Sequence, residues 1–488
     1  MAKAWHGPIE QRKDCQNRVA RLAVPTRLRE RKMAQTELDD RPLTLETMAA
    51  YLAKGCKPAD QWRVGAEHEK FSFRLDSHEP IAYLPDAEGR GGVLALLTGL
   101  MRFGWDGIYE GETLIGLSRN GASVSLEPGG QFELSGAPLT TMHDICAETG
   151  QHLEEVKAVA DEIGVGFLGL GFTPNWSRAD VPVMPKGRYK IMREYMPKVG
   201  SMGLDMMFRT CTVQANLDFS SEADMVAKFR MSLALQPIAT ALFANSPFTE
   251  GKPNGFLSAR ANVWTDVDAD RTGMLDFVFE DGFGFEAYAN YAADVPMYFT
   301  KDGERYIDLA GKSFRSFIKG ELAEVPGRRA TIKDWGDHLT TIFPEVRLKQ
   351  YLEMRGADSG PWSRICALQA LWTGVFYDSA ALAAAWDLCK HWTSEDRAAL
   401  RLDAARTGLK GKVAGRPIKD VAADFIAISR EGLKRRARFH AGMVDETGYL
   451  SELEQIAESG LTPADRLLEL YHGPWQGDVS RVFADFAY

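Results

Sequence analysis

The stretch from Arg63 to Leu75 constrains this chain more than any other, because it reads as a strand whose apolar face also carries acid. Residues two apart in a strand share a face. The odd positions are Glu67, Glu69, Phe71, Phe73 and Leu75; the even positions are His68, Lys70, Ser72 and Arg74. A face that buries two phenylalanines and a leucine therefore also holds two carboxylates. Paired anions are costly to bury unless a cation neutralises them. The other readings are that the strand end emerges into solvent, or that arginines pair with the acids.

The pattern recurs. In Ser125 to Leu134, Glu127 and Glu133 flank Pro128-Gly129-Gly130 among apolar residues. Phe208 to Phe219 reads as a strongly alternating strand. Cys211, Val213, Ala215, Leu217 and Phe219 make its apolar face, and Thr210, Thr212, Gln214, Asn216 and Asp218 the other. In the expected strand Leu348–Arg355, Glu353 and Arg355 share a face, either as a local salt bridge or as site residues. Mg²⁺ prefers oxygen ligands and usually bridges substrate phosphates, and arginine forks suit phosphate and carboxylate. An oxygen-lined sheet rimmed by arginines is what a Mg-nucleotide site requires without a phosphate-binding loop. Two loop motifs fail. Ala310-Gly311-Lys312-Ser313 lacks the first glycine of a P-loop, where Tyr306 stands, and Gly166, Gly169 and Gly171 have the dinucleotide glycines in the wrong order.

With 488 residues, 45% of them hydrophobic, the chain can build a large core without staples. Its net charge of −9 argues against a nucleic-acid partner, and no apolar run has the length of a membrane span. None of the six cysteines has C-x-x-C spacing, which argues against structural zinc. Residues 1–32 hold nine Lys/Arg against Glu10, Asp14 and Glu30, so this start is basic and the remainder strongly acidic. Residues 1–40 read as a basic, disordered extension, of which 1–32 are expected to be dispensable for folding and activity, and 41–488 as one catalytic domain. A faint likeness to a transit peptide and an upstream start codon before Met33 are the other readings.

Asn120-Gly121 between alternating runs signals a hairpin. Met142–Ile163 reads as an amphipathic helix closed by Gly164, Val165–Phe172 as a strand, and Ser221-x-x-Asp224 as a helix start. From Ala380 onward the pattern is mostly helical. Strands and helices do not alternate regularly, so the expected class is α+β, with a largely antiparallel sheet and a helical C-terminal part.

Several ordered strings resemble the plant-type glutamate–cysteine ligases of plants and proteobacteria. They include Gly65-Ala66-Glu67-His68-Glu69-Lys70-Phe71, Leu126 to Gly136, Met184-Pro185-Lys186-Gly187-Arg188-Tyr189, Arg209 to Phe219, Leu242 to Arg260 and His338 to Asp358. The resemblance implies a fold similar to glutamine synthetase, with an antiparallel sheet cradling Mg²⁺ and ATP and helices outside. It implies ATP-dependent joining of the glutamate γ-carboxylate to the cysteine amine through γ-glutamyl phosphate, in a monomer or homodimer. A related ligase that joins glutamate to a different amine is the alternative.

By motif match, Glu67, Glu69, Glu127, Glu133, Gln214 and Glu353 are the expected metal residues, and Asn216 and Arg355 lie beside phosphates. Arg188 and Arg260 hold substrate carboxylate or the phosphoryl group and, with Arg355, are the expected catalytic residues. Trp264 and Tyr298 wall the amino-acid pockets. Cys146 and Cys366 match a family pair, a redox disulfide whose oxidised form is the active one in plant enzymes. The second plant pair has no counterpart, since Tyr306 to Pro326 contains no cysteine. That favours a bacterial cytoplasmic enzyme, with a plastid location if the source is a plant.

Overall fold

The computed structural model describes residues 43–440 and 444–488. The expectation for residues 1–40 falls outside them. Leu43–Tyr488 form one compact unit. Its centre is a nine-stranded sheet of β1 (Val64–Arg74), β2 (Asp106–Glu110), β3 (Thr113–Arg119), β4 (Ala122–Leu126), β5 (Phe132–Ser135), β6 (Val165–Leu168), β7 (Thr212–Leu217), β8 (Val346–Leu348) and β9 (Leu352–Asp358). The order is β8-β9-β7-β1-β5-β4-β3-β2, with β6 pairing the far end of β1. Every neighbouring pair is antiparallel.

Turn chemistry sets much of this register. Asn120 and Gly121, with φ of 51° and 88°, join β3 to β4 as a two-residue hairpin requires. Between β4 and β5, Gly130 has φ 82°, and a Cβ on Gly129 would meet the Phe208 carbonyl oxygen at 2.5 Å. The Pro-Gly-Gly turn can therefore press against the chain entering β7.

Two expected strands are corrected. The chain before β7 is helical, from Gly203 to Arg209, with Arg209 bonded to Asp205 one turn earlier (2.6 Å). The span Leu348–Arg355 is a hairpin: Lys349-Gln350-Tyr351 turn between β8 and β9, with Lys349 N donating to Tyr351 O at 2.9 Å. The apolar residues Val213, Ala215 and Leu217 of β7 pack with Val64 and Ala66 of β1 against α2 (Glu222–Leu242) and α3 (Trp362–Phe376). Ser221 caps α2 by accepting from Asp224 N. Sequence reading missed α3 because Arg364 to Phe376 are all buried, which erases the amphipathic period. The C-terminal part is helical, including α4 (Ser451–Ser459) and α5 (Pro463–His472). No helix among the described residues is long and apolar enough to cross a membrane.

Helix α1 (Met142–Glu162) is joined to α3 by a Cys146–Cys366 disulfide, with Cα atoms 5.7 Å apart. It closes a loop of 220 residues, for which the chain-entropy model gives about 5 kcal/mol before native strain is subtracted. Dithiothreitol is expected to lower the melting midpoint and the activity of the wild type and to leave a Cys146→Ser variant unchanged. Equal responses in thermal melts and in turnover would remove this role.

Candidate active site

The side chains of β1 alternate as their sequence parity requires. Val64, Ala66, His68 and Lys70 are buried, whereas Gly65, Glu67 and Glu69 are partly open. Pairing brings the open row against its neighbours: Glu67 opposes Gln214, Gly65 opposes Asn216, and Glu69 opposes Glu133. Glu353 of β9 opposes Asn216 and Arg347. Directly opposed residues have Cβ atoms about 5 Å apart. The acids and amides read from four separate segments thus form one oxygen-rich floor.

The hydrogen-bond partners of three floor carboxylates are neutral. Asn216 Nδ2 donates to Glu67 Oε1 (2.8 Å), Thr212 N to Glu69 Oε2 (3.0 Å), and Ser125 Oγ and Ser135 Oγ to Glu133 (2.9 and 3.2 Å). Burial, then repulsion from Glu353 and Glu133, pushes Glu67 up to about 7. Burial, then Glu127 and Glu133, holds Glu69 well above the ordinary carboxylate range, and burial followed by Glu127 raises Glu133. Such a set has the donor chemistry for a hard divalent cation. Among the described residues, however, no three acidic, imidazole or thiol groups are gathered closely enough to hold a metal by themselves.

Glu353 differs. It is fully buried, and Arg347 Nη2 (2.6 Å), Lys349 Nζ (3.2 Å) and Arg355 Nη1 (2.5 Å) surround it. Burial works to raise it, but Arg347, Lys349 and Arg355 outweigh that and hold it well below the usual carboxylate range. The salt-bridge alternative for Glu353 and Arg355 is what the structure contains. Arg355 Nη1 also donates to Gln214 Oε1 (2.7 Å), tying β9 to β7.

Above the floor opens a cavity of about 700 Å³, its mouth included. Glu69, Glu127, Gln214, Arg188, Arg260, Trp264 and Arg355 line it. Arg188 comes from the helix Gly187–Tyr195 and Arg260 from the short helix Ala259–Val263. Each guanidinium has a buried Nε without a partner. Arg260 is anchored at its other end: Nη2 donates to Arg355 O (2.8 Å), and Ser258, which caps its helix, donates to Asp358 Oδ1 (2.7 Å). Trp264 packs on Phe343, with ring centres 5.9 Å apart.

Glu67, Glu133, Asn216 and Glu353 lie on the sheet floor but do not line this cavity. Tyr298 does not line it either. It is buried under the Arg271 guanidinium (4.0 Å) and against Tyr195, and its neighbour Phe299 faces the cavity instead. Sequence reasoning missed Met206, Met207, Phe343, Arg347, Lys349 and Lys186. Lys186 Nζ donates to Leu126 O (2.7 Å), and burial, then Arg188, draws it down to about 8. Its position inside the string Met184 to Tyr189 was the available signal.

The sequence model described as glutamate-cysteine ligase family 2 (GCS2) matches residues 63–485. The chain is 57% identical over 448 residues to the chloroplastic glutamate–cysteine ligase of Nicotiana tabacum, covering 92% of this chain and 83% of that protein. It is 56% identical to the chloroplastic glutamate–cysteine ligase of Arabidopsis thaliana, with the same coverage. Among solved structures, the glutamate–cysteine ligase of Francisella tularensis in complex with AMP superposes with a TM-score of 0.53 at 12% identity, over 87% of this chain and 89% of that one. At that identity the likeness speaks for the fold, a sheet cradle with helices outside. The chain belongs to glutamate-cysteine ligase family 2.

Proposed function

We propose that this chain catalyses the ATP-dependent ligation of the glutamate γ-carboxylate to the cysteine amine, with Mg²⁺. The observation that carries the reading of the site is the register of β1 with β5 and β7. It brings carboxylates with neutral partners into one row of the sheet, and Arg188 and Arg260, each with a buried Nε that lacks a partner, line the cavity over it. Glu67, Glu69, Glu127, Glu133 and Gln214, together with substrate phosphates, would hold Mg²⁺, which would supply charge neutralisation on the phosphoryl oxygens. The free N–H groups of Arg188 and Arg260 bind the substrate carboxylate and the moving phosphoryl group, where fixed donors stabilise developing charge. Asn216 and Arg355 hold the nucleotide phosphates. Glu353, paired in this structure with Arg347, Lys349 and Arg355, would complete the metal set.

The glutamate γ-carboxylate oxygen attacks the terminal phosphorus of ATP, giving γ-glutamyl phosphate and ADP. The cysteine amine then forms the C–N bond, phosphate leaves and the amine loses a proton. Trp264 and Phe343 wall the cavity and keep water from the acyl phosphate. The location is plastid for a plant source, as the matched relatives' names indicate, and bacterial cytoplasm otherwise. Trapping tests this reading: with glutamate, MgATP and hydroxylamine but no cysteine, γ-glutamyl hydroxamate should accumulate. ADP release without hydroxamate would contradict the acyl phosphate.

A further inference from the structure

A second cleft, of about 1120 Å³ with its mouth included, opens between α3, α4 and α5 and shares no lining residue with the catalytic cavity. Arg364 lines it from the first turn of α3 and is only 7% exposed. Its Nε and Nη1 are buried without a hydrogen-bond partner among the described residues. Glu452 Oε1 stands 3.4 Å from Nε but makes no hydrogen bond with it. Burial works against the guanidinium and Glu452, beside Nε, only partly offsets it, which leaves the unpartnered Nη1 edge for a carboxylate.

Arg466 lies on the same wall, but so do Glu452 and Glu469. Two cations facing two anions do not suit a polyanion such as phosphate. They suit a molecule that carries one charge of each sign. We propose that this cleft binds a small zwitterion, an α-amino acid or short peptide, with its carboxylate on the free N–H groups of Arg364 and its ammonium met by Glu452 and Glu469.

The cleft is also wired to the catalytic sheet. Asn245, at its base, donates from its backbone N to Asp358 Oδ2 (2.8 Å) and from Nδ2 to Ser359 O (2.9 Å). Asp358 ends the strand that carries Glu353 and Arg355, and it accepts from Ser258, which caps the Arg260 helix.

The test is titration of glycylglycine into the full chain, followed by ligand-observed NMR, with acetate and inorganic phosphate as separate arms. Saturable glycylglycine binding is expected, about tenfold tighter than either acetate or phosphate. Arg364→Lys keeps the charge but loses the fork, and should weaken binding about tenfold. The double variant Glu452→Gln/Glu469→Gln changes side chains at the open side of the cleft and should remove the preference for glycylglycine over acetate. It keeps the proposal falsifiable if Arg364→Lys does not fold. Arg188→Ala should leave binding intact. Absence of saturable binding, phosphate binding as tightly as glycylglycine, loss in Arg188→Ala, or an unchanged preference in the double variant would each overturn the proposal.

Discussion

Replacing Glu67 by glutamine is expected to lower kcat by about two to three orders of magnitude, the range seen when one preorganised charge-stabilising group is lost. The fold should survive, because the amide keeps an oxygen for Asn216 Nδ2 and nearly the same shape. The loss should fall on turnover, with only partial rescue by raised Mg²⁺. The same variant carries a stability signature. In the metal-free protein, burial and neighbouring acids lift Glu67 to about 7, whereas an unfolded glutamate titrates near 4.3. Between those values the folded state holds the proton and the unfolded state does not, so stability falls as pH rises through this window. The metal-free wild type should therefore melt lower at pH 8 than at pH 5, and Glu67→Gln should lose less over that range. Added Mg²⁺ should raise the wild-type midpoint at pH 8 more than that of the variant. Wild-type turnover at ordinary Mg²⁺ would remove Glu67 from the site.

Arg260→Ala should lower kcat/KM by a similar factor, about two to three orders of magnitude. Arg260 is 3% exposed, and burial acts to lower its pKa, against the opposing pull of Asp358 and Glu69. A buried cation that lines the cavity and has an Nε without a partner is poised for an incoming anion. Arg260→Lys keeps the charge but loses the fork and the bond to Arg355 O, so it should recover only part of the loss. The readout is the KM for glutamate and for ATP measured separately, beside kcat. If all three stay near wild type in both variants, Arg260 is a structural residue.

Strand parity made half of the floor legible. Glu67 and Glu69 on one side of β1, and Thr212, Gln214 and Asn216 on one side of β7, follow from the two-residue period alone. Their convergence did not, because pairing partners arise from the sheet: β1 lies between β5 and β7 although 57 and 137 residues separate their starts from its end. The neighbourhood of Glu353 was legible only as far as Arg355. Arg347 and Lys349 reach it because a hairpin turn stands where an unbroken strand was expected. Arg188 and Arg260 sit on short helices with no periodic signature, so they came from the family resemblance. The same resemblance put Tyr298 on a pocket wall, whereas the neighbouring Phe299 takes that place. The buried helix α3, apolar on every side, was invisible to an amphipathic period.

The most direct measurement is the stoichiometry of ADP release and product formation with glutamate, MgATP and cysteine, each omitted in turn. The expected result is one γ-glutamylcysteine per ADP, with sustained turnover only when all three are present. ADP release at the same rate with another amine in place of cysteine, or release that ignores glutamate, would contradict the assignment.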